Sequence, residues 1–262
     1  MWVTEAPLFS IQDRKLFMIE RDGFKNFIKR IDEKLFFNLL KKNLRFINKN
    51  LRFFLNMVVK FLKKILPDSH FVSIQRQAQL KNWKKRNYLQ NAPQFIKEIV
   101  LEKYSIKNAN WIETGTYMGD TTHYLSKKYP HIYSIEPQVV FYKAALSRFK
   151  NQNVTIFNDV SENVFPILLP KLKNNLNFWL DGHYSGGETF KGNKQCPIID
   201  ELNAIEVNFN NFEKISIFID DVRLFLSSAT DYPSIDYLVD WSRRLNMSWR
   251  IEHDIFIIQK NN

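Results

Sequence analysis

The sequence is poor in several features that define common protein classes. Cys196 is the single cysteine, which excludes a disulfide framework or a cysteine-based zinc site within one chain. No apolar run of about 18 residues or more occurs, so no transmembrane helix is predicted. Residues 1–15 lack the basic start and the continuous apolar stretch of a signal peptide. We therefore expect a cytoplasmic protein of a reducing compartment.

The net charge of +11 is concentrated in one segment, residues 24–66. This segment holds twelve Lys and Arg against Asp32 and Glu33, and its apolar residues recur at helical spacing, which predicts basic amphipathic helices. Their apolar face could pack on the protein's own core or on a second subunit. The segment could instead lie on the inner, anionic face of a membrane. Nucleic-acid binding is the least favoured use, because no recognition motif accompanies the charge.

From residue 93 onward, short apolar runs alternate with helix-compatible segments, and this pattern predicts a doubly wound α/β fold with a mainly parallel sheet. The predicted strands are 111–114, 131–136, 154–158, 178–181, 215–221, 248–252 and 254–259. The intervening helices are predicted over 93–104, 119–129, 139–149, 162–172, 197–209 and 234–245. We therefore divide the chain into a basic helical extension, residues 1–92, and a main domain, residues 93–262.

The segment 110–122, NWIETGTYMGDTT, leads from the first predicted strand through Gly115 and Gly119 into a helix. A buried strand that ends in a glycine turn before a helix is typical of nucleotide-type ligand sites in α/β folds. Gly115 can adopt a positive φ and would let the backbone approach a ligand closely. The alternative left open is a tight turn with no ligand.

Each of the five predicted parallel strands ends at a carboxylate. These residues are Glu113, Glu136, Asp159, Asp181 and the pair Asp220–Asp221. Ligands of doubly wound sheets bind at this edge. Glu136 follows Gly115 at about the 20-residue separation at which an acidic residue meets ribose hydroxyls. Asp159 is placed to reach an adenine amine.

The run Glu113-Thr114-Gly115-Thr116-Tyr117-Met118-Gly119, with Glu136 and the two closing strands, resembles the class I S-adenosylmethionine-dependent methyltransferases. Tyr117 replaces the middle glycine of the commoner motif. The resemblance covers about 93–262 and implies a Rossmann-like, seven-stranded sheet whose last strand, 254–259, is antiparallel. It implies S-adenosylmethionine as cofactor, held by Glu113, Thr114, Gly115, Tyr117, Gly119, Thr121, Glu136, Asp159 and Asp181.

A narrower likeness joins Leu180-Asp181-Gly182-His183 to Ile219-Asp220-Asp221. These segments are similar to those of metal-dependent sugar O-methyltransferases of the macrocin O-methyltransferase type. The likeness implies a divalent ion on Asp181, Asp220 and Asp221, and oxygen ligands favour Mg²⁺. Three carboxylates without a nearby lysine would also repel one another unless a cation lay between them. The alternative is that one member of the Asp220–Asp221 pair caps a turn while only the other faces the site.

The same likeness places His183 where the relatives carry an aspartate that acts as general base. Neutral histidine is a competent base near pH 7. With Asp181 holding the ion that polarises the acceptor hydroxyl, His183 would take its proton. The loop 184–196 could form a lid over the acceptor, and Arg223 and Tyr232 could line its pocket.

The sequence thus predicts an O-methyltransferase that acts on a sugar, a glycan or another small hydroxylated acceptor, with self-association through the basic helices as an additional expectation. A non-catalytic ligand-binding module, tethered to a membrane or to a glycan-assembly complex, is the alternative. An NAD-dependent oxidoreductase is disfavoured, because the spacing of Gly115 and Gly119 does not give the required glycine fingerprint.

Overall fold

The computed structural model describes residues 68–183, 195–226 and 231–260, with side chains from residue 72 onward. The predictions for 24–66 and for the loop 184–194 lie outside these residues. Contacts divide the chain into two compact units, Met1–Ser73 and Ile74–Asn262, and the site discussed below belongs to the second. None of the helices in the described ranges is long and apolar enough to cross a membrane.

In the described part of the chain, two helices precede the first strand, and helices and strands then alternate until the two closing strands. In chain order they are α1 (Asp68–Lys85), α2 (Gln94–Tyr104), β1 (Asn110–Thr114), α3 (Asp120–Ser126), β2 (Ile132–Ile135), α4 (Val139–Arg148), β3 (Val154–Phe157), α5 (Ser161–Leu168), β4 (Asn174–Leu180), α6 (Ile198–Val207), β5 (Phe212–Ile219), α7 (Ile235–Arg244), β6 (Met247–Glu252) and β7 (Ile255–Lys260). Short 3₁₀ turns cover Leu169–Lys171, Phe209–Asn211 and Val222–Leu226. The helix predicted over 162–172 therefore ends earlier, and Pro170 lies in the 3₁₀ turn that follows it.

The seven strands form one sheet in the order β3-β2-β1-β4-β5-β7-β6. Strands β1 to β5 are parallel, and β7 is antiparallel to both β5 and β6. This confirms the predicted Rossmann-like sheet with its antiparallel last strand. Strand β7 lies inside the sheet, between β5 and β6, because the tight turn at His253 (φ 56°) folds it back beside β6.

The apolar runs of the central strands reflect burial on both faces, as expected for a parallel sheet covered by helices. Successive residues point to opposite faces, so Phe178 joins one core cluster while Trp179 joins the other. The same division separates Ile217 from Phe218 in the neighbouring strand. The two cores anchor the strands whose ends form the candidate site.

The strand order reverses beside β1, which has β2 on one side and β4 on the other. At this point Gly115, with φ +83°, passes very close to the end of β4. A Cβ added at Gly115 would lie 2.3 Å from the carbonyl oxygen of Asp181. The absence of a side chain at Gly115 therefore permits the close approach of two strand ends.

This close approach can be tested with Gly115→Ala, using Gly119→Ala as the matched control. Both glycines have positive φ, but a Cβ at Gly119 would meet the ring of Phe149 at 2.8 Å, whereas a Cβ at Gly115 would meet backbone at 2.3 Å. The positive φ alone should cost each variant about 1–2 kcal/mol of unfolding free energy. Overpacking should cost Gly115→Ala roughly 1–3 kcal/mol more. Urea unfolding measures the unfolding free energy of both variants. Equal losses in the two variants would contradict the predicted clash between a side chain at residue 115 and the backbone of Asp181.

Candidate functional site

A cleft of about 310 Å³ opens at the carboxyl ends of the parallel strands, where the strand order reverses. This volume lies at the lower end of the range for small-molecule sites. The lining residues come from the start of α2 and the residues before it, the β1–α3 loop and the start of α3, the start of α4, and the ends of β2, β4 and β5. They are Asn91, Gln94, Lys97, Gly115, Thr116, Tyr117, Met118, Gly119, Asp120, Thr121, Glu136, Pro137, Phe141, Asp181, Gly182, His183 and Asp221.

Glu136, at the end of β2, is buried and held against the β1–α3 loop. Its Oε2 accepts a hydrogen bond from the backbone N–H of Tyr117 at 2.7 Å, and its Oε1 accepts one from Gln138 at 2.9 Å. Burial raises the pKa of Glu136 above its ordinary value, although these bonds oppose the shift. The Tyr117 ring packs edge-on against Phe141, with centroids 4.8 Å apart. The carboxylate and an aromatic pair thus share one end of the cleft.

The backbone N–H groups of the two glycines in the β1–α3 loop form hydrogen bonds within the fold. The N–H of Gly115 donates to the carbonyl of Ile135 at 3.0 Å, and that of Gly119 donates to Thr116 at 2.8 Å. The turn geometry predicted from the glycines is present. The reason found for Gly115 is the approach of Asp181, whereas the sequence suggested the approach of a ligand.

The predicted cofactor residues divide into two groups. Gly115, Tyr117, Gly119, Thr121, Glu136 and Asp181 line the cleft, whereas Glu113, Thr114 and Asp159 do not. Glu113 is buried, and its Oε2 accepts hydrogen bonds at 2.5 Å from Thr122 and Ser134. Burial raises the pKa of Glu113 to about 7. Glu113 therefore supports the strand ends from within the fold, as does Thr114, whose Oγ1 accepts a hydrogen bond from the N–H of Asp181 at 3.2 Å.

Asp159 is not brought to the cleft. Its side chain is exposed, and its Oδ1 accepts hydrogen bonds at 2.8 Å from the N–H of Val160 and the amide of Asn163. These bonds hold Asp159 at the start of α5. A helix start thus supplies donors to this carboxylate locally, and its contact with an adenine amine stays a prediction.

Lys97 lies between the aspartates that end β4 and β5. It is 8% exposed, its Nζ forms an ion pair with Oδ2 of Asp220, and it lies 3.8 Å from Oδ2 of Asp181. Burial disfavours its charged form, but the charges of Asp181 and Asp220 outweigh that effect and hold the pKa of Lys97 above its ordinary value. The premise that no lysine lies near these carboxylates is wrong.

Asp221 is engaged through both of its carboxylate oxygens. Its Oδ2 lies 3.0 Å from Nε2 of His183, and its Oδ1 accepts a hydrogen bond from Nη1 of Arg223 at 2.6 Å. Arg223 also pairs with Asp254. Burial would raise the pKa of Asp221, but its bonds to His183 and Arg223 outweigh burial and lower it.

These contacts do not fit the Mg²⁺ site predicted on Asp181, Asp220 and Asp221. Asp220 lies buried beneath the cleft, while Asp221 lines it, as in the alternative in which only one of the pair faces the site. All three carboxylates already contact Lys97, His183 or Arg223. Among the described residues, no group of three or more His, Cys, Asp or Glu is arranged to hold a metal ion.

The sequence reasoning missed Lys97, although it carries a detectable signal. Lys97 occupies the buried stripe of α2 together with Ile96, Val100 and Leu101. A lysine in the apolar stripe of a helix must pair with carboxylates or remain near solvent. Arg223, expected in an acceptor pocket, instead bonds Asp221 and Asp254.

Comparisons with known proteins concern the fold. No protein-family model and no curated protein sequence matches this chain. Among solved structures, a candidate rRNA methylase from Clostridium thermocellum has 9% identity and a TM-score of 0.43, covering 62% of this chain and 93% of that one. A methyltransferase candidate from Streptococcus mutans in complex with SAH has 14% identity and a TM-score of 0.42, with coverage of 65% and 98%.

The N-methyltransferase NodS from Bradyrhizobium japonicum has 8% identity and a TM-score of 0.39, covering 63% of this chain and 90% of that one. All three TM-scores are low. The fold assignment therefore depends on the strand order and direction in this chain's own sheet.

The groups around His183 predict the direction in which its pKa is shifted. Burial lowers its pKa, but the hydrogen bond to Asp221 and the charge of Asp181 outweigh burial and raise it above 6.5. Asp221→Asn removes the adjacent charge, so the pKa of His183 should fall. Asn also suits the positive φ of 57° at residue 221. NMR titration measures the pKa of the His183 imidazole in the wild type and in Asp221→Asn. The His183→Gln variant identifies which signals belong to this ring.

A wild-type pKa at or below 6.5, or one unchanged in Asp221→Asn, would contradict the pairing. Asp231→Asn, which alters an exposed carboxylate, serves as the control and should leave the His183 titration in place.

Proposed function

We propose that this chain is an S-adenosylmethionine-dependent methyltransferase. The observation that carries the proposal is a small cleft, whose charged lining residues are mostly carboxylates, at the point where the strand order of a class I-type sheet reverses. Ligands of doubly wound sheets bind at this point. The charge and shape of the cleft then narrow the class of ligand.

The described lining carries four carboxylates against one lysine. The carboxylates are those of Asp120, Glu136, Asp181 and Asp221, and Lys97 is already paired with Asp181 and Asp220. A dinucleotide would bring a pyrophosphate into this acidic site. S-adenosylmethionine instead brings a sulfonium and an ammonium group, which nearby carboxylates favour electrostatically. Asp120 and Asp221 are themselves paired with Arg148 and Arg223, and Lys97 is paired with aspartates, so the described lining offers no uncommitted cation to a pyrophosphate, which supports S-adenosylmethionine over NAD.

The ribose and adenine would bind at the Glu136 end of the cleft. Both oxygens of Glu136 have fixed positions because backbone N–H groups hold them, and each retains capacity to accept a ribose hydroxyl. Pro137 and Phe141 offer apolar surface beside it for a purine ring. Asp181, across the cleft, would face the methionine end.

The bound cofactor would supply an electrophilic methyl group on a positively charged sulfur. We propose a hydroxyl acceptor, on a sugar, a glycan or another small molecule. In its neutral form, which prevails above its raised pKa, His183 would take the hydroxyl proton, the acceptor oxygen would form the new bond to the methyl carbon, and the sulfur would retain the electrons of the broken bond. Asp221 orients the ring through Nε2, which leaves Nδ1, 3.6 Å from Oδ1 of Asp181, as the proton acceptor.

The cofactor assignment can be tested by calorimetry with S-adenosylhomocysteine. Glu136→Ala removes a charge-assisted hydrogen bond worth about 1.5–3 kcal/mol, so the Kd should rise about 10- to 150-fold. Glu213→Ala, which alters an exposed glutamate of β5, is the matched control and should bind like the wild type. Wild-type protein that binds no S-adenosylhomocysteine, or a Glu136→Ala variant with unchanged affinity, would contradict the assignment.

A further inference from the structure

We propose that Lys97 provides, as part of the polypeptide, the positive charge that the aspartates at the ends of β4 and β5 require, so that the site needs no divalent ion. The consequence for catalysis rests on the proposed function, but the charge arrangement itself can be tested without an acceptor.

The topology forces these aspartates together. Leu180 of β4 pairs in register with Ile219 of β5, so the residues that follow, Asp181 and Asp220, leave the sheet side by side. Two carboxylates that share a buried site repel each other when both are ionised. A cation must therefore lie close to both of them, or one must remain protonated.

Lys97 is fixed in the position of that cation. Its neighbours Ile96, Val100 and Leu101 are buried and hold α2 against the domain. Its Nζ contacts Asp220 and Asp181, and it lies 5.5 Å from the centre of the Trp179 ring, where the indole face also favours a cation. An ammonium buried in this way cannot leave its carboxylates without a large loss of stability.

The third aspartate is neutralised separately. Both oxygens of Asp221 are engaged, one with His183 and the other with Arg223. A divalent ion entering the cluster would have to displace these bonds and would then lie near the ammonium of Lys97 and the guanidinium of Arg223. Repulsion between such charges is strong in a poorly hydrated site.

Lys97 is therefore a positioning residue for Asp181 and His183, the side chains that would lie beside the methyl acceptor. It holds Oδ2 of Asp181, while Oδ1 of the same carboxylate lies 3.6 Å from Nδ1 of His183. The lysine therefore fixes the carboxylate that faces the ring nitrogen proposed to take the proton. The charge of Lys97 would therefore affect the methyl acceptor indirectly, by positioning Asp181 and, through it, His183.

The test is a titration with Mn²⁺ followed by electron paramagnetic resonance. Wild-type protein should show no saturable site. Lys97→Met keeps the apolar stem but removes the charge, so Asp181 and Asp220 become available as ligands. This variant should gain a saturable Mn²⁺ site that the wild type lacks, and the site should be lost when Asp220→Asn is added.

Two control variants separate the loss of the Lys97 charge from other effects of substituting a lysine in α2. Lys103→Met changes an exposed lysine of the same helix and should behave as the wild type. Lys97→Arg keeps the charge and should gain no site, while Mn²⁺ should raise the melting temperature of Lys97→Met but not that of the wild type. If Lys97→Met does not fold, the wild type and Lys97→Arg still decide whether the site takes a divalent ion while residue 97 carries a positive charge.

A saturable Mn²⁺ site in the wild type that is lost in Asp220→Asn would overturn the proposal, as would a folded Lys97→Met that gains no site. Calorimetry with S-adenosylhomocysteine on the same wild-type sample separates the two claims. Binding of that ligand together with a wild-type Mn²⁺ site would overturn the role of Lys97 alone. No ligand binding and no Mn²⁺ site would overturn the proposed function alone.

Discussion

The buried contact of Lys97 with Asp220 and Asp181 is the constraint on which the site depends. It joins α2 to the ends of β4 and β5, and it allows two carboxylates to lie side by side at the edge of the sheet. Removing one partner of such a pair typically costs about 3–5 kcal/mol, because the other charge remains buried and unpaired. The helix that precedes the sheet is therefore part of the candidate active site.

A second constraint places the cofactor end of the cleft. The loop after β1 can pass the end of β4 only because Gly115 has no side chain, and Glu136 then fixes the same loop through the N–H of Tyr117. The two halves of the cleft are thus tied to each other through Asp181. Its backbone meets Gly115, and its side chain meets Lys97.

The strands could be predicted because buried parallel strands appear as apolar runs, and the number of strands and the antiparallel direction of the last one followed from the family resemblance. Spacing alone could not predict that Lys97 would lie beside Asp181, since the two residues are far apart in sequence and meet only when α2 packs on the sheet. Sequence position also could not show that Asp159 would find hydrogen-bond donors at the nearby helix start. Sequence position placed the acidic residues at the correct edge, but their partners were set by tertiary packing.

The most direct test of the central claim is a crystal structure of the chain grown with S-adenosylhomocysteine and MnCl₂, with anomalous data collected at the manganese edge. We predict ligand density in the cleft, with its ribose at Glu136, and Lys97 Nζ between Asp181 and Asp220 without an anomalous peak there. A manganese peak on Asp181, Asp220 and Asp221, with Lys97 displaced, would contradict the charge arrangement. Ligand bound elsewhere would contradict the cofactor site.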